Sequence, residues 1–198
     1  MSHGLRWWAL SALAASGLLA TASPSAAQEI RVGVGYTAQS IVYPGSHGTE
    51  RGSSVNAEYL FKPITALHFI GSPRPFVGVS ASLNGFTDFA SIGLLWRVER
   101  GRFYADLGAG GAVHNGELFL PPPMVGLPLE ENLRRREIRE ERSEFGYREL
   151  YHAMFDVGWR LNDRWAVELL GQHWSNAHLG TSSNDGADIL SARLAFRL

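Results

Sequence analysis

Eight stretches of alternating apolar and small or charged residues predict an eight-stranded antiparallel transmembrane β-barrel of the bacterial outer membrane. Several run about nine to eleven residues, the length that crosses a bilayer at a tilt. Two further observations point the same way. The 198-residue chain opens on an export-type segment, and it contains no cysteine. An exported chain without disulfides suits the Gram-negative envelope, where stability comes from another source.

The opening segment carries Arg6, then an Ala/Leu-rich apolar run from Trp7 to about Ala22, then Ser25-Ala26-Ala27 before Gln28. A positive start, an apolar middle and small residues at the end make a cleavable signal peptide over 1–27. A single barrel domain is expected over 28–198.

The strands follow in order. Ile30, Val32, Val34 and Tyr36 alternate with Arg31, Gly33 and Gly35. Val55, Ala57, Tyr59 and Phe61 form the second set, and Val77, Val79, Ala81 and Leu83 the third. Ala90 to Val98 and Phe103 to Val113 give the fourth and fifth, the latter with Asp106 and Gly108 opposite. Tyr151, Ala153, Phe155, Val157, Trp159 and Leu161 form the sixth. Trp165, Val167 and Leu169 begin the seventh, and Leu190, Leu194, Phe196 and Leu198 close the chain. Successive strand side chains point to opposite faces, so every set has one apolar face. A soluble lipocalin-like barrel would turn that face inward. Here the opposite faces hold Gly, Ser, Arg, Asp and Glu, which suits a filled polar lumen and a lipid-facing outer wall. Trp96, Trp159, Trp165 and Phe196 near strand ends suit an interfacial girdle.

Connections alternate in length. Residues 99–102 and 162–164 read as tight periplasmic turns, whereas 41–53, 114–146 and 177–187 read as longer, polar external loops. The 62–74 connection fits either a strand extension or a periplasmic loop. Residues 130–149 carry seven Glu and six Arg of the chain's 37 charged residues. Glu130/Arg134 and Glu131/Arg135 stand at helical spacing, so a short helix is expected there. The segment reads as a solvated loop, with arginine contact to lipopolysaccharide phosphates as the functional alternative.

Composition narrows the function. A formal charge of −1 gives no reason to expect nucleic acid as a partner. The absence of cysteine excludes thiolate metal sites, and His47, His68, His114, His152 and His178 show no ligand spacing. No metal or other cofactor is expected.

The chemistry gathers in the last hairpin. Val167 and Leu169 face lipid, so Gly171, His173 and Ser175 share their face. Counting back from Leu198 through Leu190 puts Asp188 outward as well. Equal strand lengths place Ser175 level with Asp188. A base, a hydroxyl and a carboxylate then converge on the outer wall near the external rim. Polar groups there cost hydration, and their combination matches the nucleophile, base and orienter of serine hydrolysis.

His173-Trp174-Ser175-Asn176-Ala177, followed by Asn184-Asp185-Gly186-Ala187-Asp188, resembles the motif of outer-membrane lipid A 3-O-deacylases of the PagL type. The motif likeness is concentrated in 165–198, and the rest of the chain matches in architecture. The resemblance implies an eight-stranded barrel that hydrolyses the ester-linked 3-hydroxyacyl chain of lipid A. It implies Ser175 as nucleophile, His173 as base and Asp188 as the acidic member of the triad, with Asn176 and Asn184 as candidates for loop positioning or oxyanion stabilisation. Two features depart from the family pattern. The acid is often Glu there and is Asp188 here, and the 178–183 loop is one residue longer. Asp185 is a rival carboxylate placed in the turn.

The expected partners are lipid A or lipopolysaccharide as substrate and the surrounding outer-membrane lipids, and the exposed aromatics also admit a homodimer. Two other readings share the barrel: a non-enzymatic structural or adhesion protein, and a phospholipid acyl hydrolase. Lipid A acylation with Ser175 intact and replaced separates them.

Overall fold

The computed structural model describes residues 27–198. The expected signal peptide lies outside them except for Ala27. Eight strands form one closed antiparallel barrel in chain order: β1 (Glu29–Thr37), β2 (Gly52–Leu60), β3 (Arg74–Ser82), β4 (Phe89–Arg100), β5 (Phe103–His114), β6 (Glu149–Arg160), β7 (Trp165–Ser175) and β8 (Ala187–Arg197). β1 closes on β8 from Glu29 opposite Arg197 to Thr37 opposite Ile189. Closure matters because an unpaired backbone group in hydrocarbon costs several kcal/mol.

The faces follow the alternation in the sequence. Val32 and Val34 on β1, Val79 on β3, Ile92 on β4, Leu107 on β5, Phe155 on β6 and Leu169 on β7 are exposed on the outer wall. Arg31, Glu58, Arg97, Asp106, Asp156, Glu168 and Arg193 are buried inside. Phe103 packs edge-on to Trp159 at 4.0 Å and Trp165 against Phe196 at 4.7 Å, both beside the tight turns. Trp96 lies at the same end, where its Nε1 donates to Ile70 O at 2.8 Å. These rings form the expected girdle at one rim.

A charge network fills the lumen toward that rim. Arg31 reaches Glu58 at 3.0 Å, Asp106 at 2.7 Å and Asp156 at 3.3 Å. Arg97 holds Glu29 and Asp106, and Arg193 holds Asp156 and Glu168. Asp106, Asp156 and Glu168 alone form a carboxylate trio with metal-like spacing among the described residues, and arginines bond oxygens of all three. Toward the other rim the filling turns aromatic. Trp174 is sandwiched between Phe89 at 4.3 Å and His152 at 4.9 Å, and its Nε1 donates to Ser91 Oγ. This stack locks Trp174 inward, so His173 and Ser175 on either side must point outward.

The connections at the aromatic end interlock. The helix α1 (Leu129–Glu141) forms where the charge cluster was read. Glu131 holds Arg135 at i,i+4, but Arg134 also turns to Glu131 at i,i+3, so the expected Glu130/Arg134 pair is replaced. Thr49 Oγ1 donates to Arg142 O, and Glu50 accepts from the Thr87 amide and hydroxyl. The 114–146 loop therefore folds onto 41–53. The open question over 62–74 resolves as a connection containing a 3-10 turn, Thr65–Ile70, ended by Gly71 in the left-handed region.

Candidate active site

β7 and β8 bring the hairpin residues to one patch of outer wall. His173 stands directly opposite Asp188 in the β7–β8 ladder. This corrects the expected register, in which Ser175 was level with Asp188. β8 begins at Ala187, opposite Trp174, so the hairpin loop rises one position above the ladder and Ser175 overhangs it.

Directly opposed strand residues have Cβ atoms about 4.5–5.5 Å apart. An aspartate is then long enough to meet an imidazole. His173 Nδ1 lies 2.6 Å from Asp188 Oδ1. That nitrogen donates to the carboxylate, which leaves Nε2 free to accept. The imidazole retains 18% side-chain exposure, while the carboxylate has none.

Asp188 is covered by a segment that the sequence reading passed over. The loop after β1 folds down the outer wall, and the amides of Val42 and Tyr43 donate to Asp188 Oδ2 at 3.1 and 2.9 Å. The Tyr43 ring lies 4.7 Å from the His173 ring at a 43° tilt. With His173, the carboxylate accepts three N–H groups. The overlooked signal was the apolar run Ile41-Val42-Tyr43 within an otherwise polar loop.

Ser175 Oγ is engaged by the hairpin loop. Asn184 lays its amide beside it, Nδ2 at 2.8 Å and Oδ1 at 3.2 Å, and the Ala177 amide donates at 3.0 Å. Ser175 makes these contacts in place of the expected bond to His173. Residues two apart on one strand face are about 6.6 Å apart along the chain, within reach after a side-chain rotation. Catalytic bonds of this kind commonly close only around bound substrate.

Asn176 and Asn184 separate in role. Asn176 Nδ2 donates to both Phe145 O at 2.7 Å and Ser183 O at 2.8 Å, and its Oδ1 accepts from the His178 amide. It ties the loop down and has no hydrogen left to offer. Asn184 Oδ1 accepts from the Asn176 amide at 3.0 Å, which aims Nδ2 at Ser175. The turn between them runs through Ala177 and His178, both near φ +55°, a region costly for residues with a Cβ. Asp185, the rival carboxylate, accepts from the Glu144 amide at 2.6 Å, while its carbonyl accepts from His47. It braces loops and stays away from His173. Burial pushes its carboxyl up from the usual range.

Beside Ser175 the outer wall dips. Tyr151 pairs with both Ser175 and Gly111 across the ladder. Gly110, Gly111, Tyr147, Tyr151, Asn176 and Leu179 line a groove of about 430 Å³ there.

The model of the family described as "Lipid A 3-O-deacylase (PagL)" matches residues 30–197. The chain belongs to the PagL family of lipid A 3-O-deacylases. The match spans every strand, well beyond the 165–198 hairpin that carried the resemblance in sequence. No curated protein matches the chain. Among solved structures, the crystal structure of the outer membrane enzyme PagL aligns at 13% identity and TM-score 0.54, over 86% of this chain and 99% of that one. Neisserial surface protein A aligns at 11% identity and TM-score 0.52, over 89% and 100%. The N-terminal barrel domain of Pseudomonas aeruginosa OprF aligns at 5% and 0.50, over 86% and 97%. At these identities the structures share the fold, that of bacterial outer-membrane β-barrels, while the family model carries the relation to PagL.

Proposed function

We propose that this PagL-family barrel is a serine hydrolase that removes the ester-linked 3-hydroxyacyl chain of lipid A in the outer leaflet. The observation that carries the reading is the His173–Asp188 contact on the lipid-facing wall, beside a hydroxyl held by an amide donor. An imidazole and a hydroxyl presented on the outer wall near the rim need a use, and an ester at the membrane surface supplies one.

When the ester enters, Ser175 Oγ rotates from Asn184 toward His173 Nε2 and attacks the carbonyl carbon. His173 takes the proton, and Asp188 stabilises the imidazolium and its tautomer. The Asn184 Nδ2 group, released from Oγ, donates to the developing oxyanion. Collapse breaks the bond to the sugar 3-oxygen, which receives the proton from His173. Water then attacks the 3-hydroxyacyl–Ser175 ester with His173 again as base, freeing the fatty acid. The groove floored by Gly111 offers the acyl chain a slot at the height of Ser175. The signal peptide over 1–27 delivers the barrel, and the end bearing α1 and the hairpin loop faces the medium.

Mass spectrometry of lipid A from cells expressing the wild type or Ser175→Ala tests this. The wild type yields lipid A lighter by one 3-hydroxyacyl group, and the variant does not. Identical lipid A from both, with folded barrel present, overturns it in favour of a non-enzymatic barrel. Fatty acid release from glycerophospholipid with intact lipid A overturns it in favour of a phospholipid acyl hydrolase.

A further inference from the structure

The loop between β1 and β2 bends back against the outer wall at the last hairpin. Ser40 takes φ +54°, its Oγ donates to Ser46 O at 2.7 Å, and the Ser46 amide donates to Tyr43 O at 3.0 Å. These bonds close 40–46 into a compact strap. The strap seats on the wall at three points. Val42 rests over Gly171, where any Cβ would stand 3.3 Å from its methyl group. The Val42 and Tyr43 amides meet Asp188 Oδ2. Tyr43 lies against the His173 ring.

The seat explains two features of the wall. Gly171 is the one residue of the β7 outer row between Trp165 and Ser175 without a side chain, and the strap occupies the space this leaves. Asp188 is outward by strand parity, yet its side chain has no exposure, because the strap covers it. A carboxylate on a lipid-facing wall would otherwise lie against hydrocarbon or headgroups, free to rotate away from His173. Two amide donors fix its second oxygen and leave the first for the imidazole, and charge-assisted bonds of this kind are roughly twice as strong as neutral ones.

We propose that the 40–46 strap is a working part of the hydrolase, with Tyr43 as a positioning residue that holds the His173 imidazole while the Val42 and Tyr43 amides hold Asp188. The proposal rests on the reading of Ser175, His173 and Asp188 as a triad. It also accounts for the acid being Asp. With the strap seated over the ladder position opposite His173, a glutamate would push its carboxylate into the Val42 and Tyr43 amides.

The test is steady-state hydrolysis of purified lipid A in detergent micelles by the full barrel, with heat-modifiable gel mobility reporting folding. Tyr43→Ala and Tyr43→Leu are expected to lower kcat about 10- to 100-fold with KM within about twofold, because misplacing a reacting group costs on this scale. Tyr43→Phe keeps the ring and is expected to stay within about twofold of wild type in kcat. Asp188→Glu, though still a carboxylate, is expected to lose at least about tenfold in kcat. Tyr43→Leu turning over like wild type overturns the proposal. So does a rise in KM with kcat unchanged, which would make Tyr43 a lipid-binding surface only, and so does failure of Tyr43→Phe to retain activity. Ser175→Ala in the same assay separates the two readings. If it is inactive while Tyr43→Leu is unaffected, only the strap fails; if it is fully active, the triad fails with it.

Discussion

His173 and Asp188 face each other across the β7–β8 ladder, and their side chains meet at 2.6 Å. The spacing is set by strand pairing, the stiffest element of the barrel, so the shorter acid suffices. Replacing Asp188 by Asn keeps the shape but offers an amide in place of the carboxylate, and the imidazole loses its tautomer and its counter-charge. Asp188→Asn is expected to fold as a heat-modifiable barrel and to lose about 10⁴-fold in kcat. Lipid A turnover in micelles measures it.

The two asparagines of the hairpin loop are expected to respond differently. Asn184→Ala removes the donor next to Ser175 Oγ and should cost about 10²–10³ in kcat with little change in KM. Asn176→Ala breaks two bonds to loop carbonyls and should loosen the hairpin. Limited proteolysis is expected to cut near residues 177–183 in Asn176→Ala and to leave Asn184→Ala as resistant as wild type.

Stability is expected to respond most to the lumen network. Arg31 is fully buried among Glu29, Glu58, Asp106 and Asp156. Arg31→Met leaves those carboxylates short of a counter-charge and is expected to destabilise the barrel by about 3–5 kcal/mol. Urea unfolding in detergent reads the loss. Activity of the fraction still folded should be near that of wild type, because the network lies toward the opposite rim from Ser175.

Chain-length selection is expected to reside at Gly111. A Cβ there would find its nearest neighbour, the Leu150 carbonyl, at 3.8 Å, so a larger side chain fits without disturbing the ladder. Gly111→Leu fills the groove beside Ser175 and should favour shorter 3-hydroxyacyl chains by about tenfold, the discrimination that one or two methylenes provide. Competition between lipid A species of different chain length, read by mass spectrometry, checks the order.

The loops at the α1 end should tighten in acid. Burial is the main cause that raises the carboxyls of Asp185 and Glu50 above their usual range, outweighing the amide of Glu144 at the first and those of Thr87 and Ser143 at the second. A carboxyl raised by folding contributes stability that is full below its unfolded value, about pH 4, and is lost as pH rises through its folded value. Amide hydrogen exchange in 41–50 and 142–146, corrected for the intrinsic rate, is expected to be more protected at pH 4 than at pH 8. Asp185→Asn should flatten that dependence in 142–146, where the Glu144 amide meets it.

The strand faces were legible residue by residue, because in Val32-Gly33-Val34 or Val77-Gly78-Val79 a period of two has only one lipid-compatible orientation. The placement of His173, Ser175 and Asp188 on the outer wall followed from the same parity. The height of Asp188 was not legible, since it depends on how many residues the 176–186 loop spends above the ladder. Nor was the division between Asn176 and Asn184, because both are amides in one loop and only their neighbours distinguish them.

The alternation of apolar with small or charged residues determined a membrane barrel with a polar filling, since it is a local property of the chain read against water and lipid as solvents. The tertiary structure decided what surrounds the reactive groups. It set His173 against Asp188, gave Ser175 to Asn184, and brought Val42 and Tyr43 from a loop more than a hundred residues away onto the carboxylate. The contacts of Val42 and Tyr43 with Asp188 join distant parts of the chain through the closure of β1 on β8, and no local pattern encodes which loop falls on which wall.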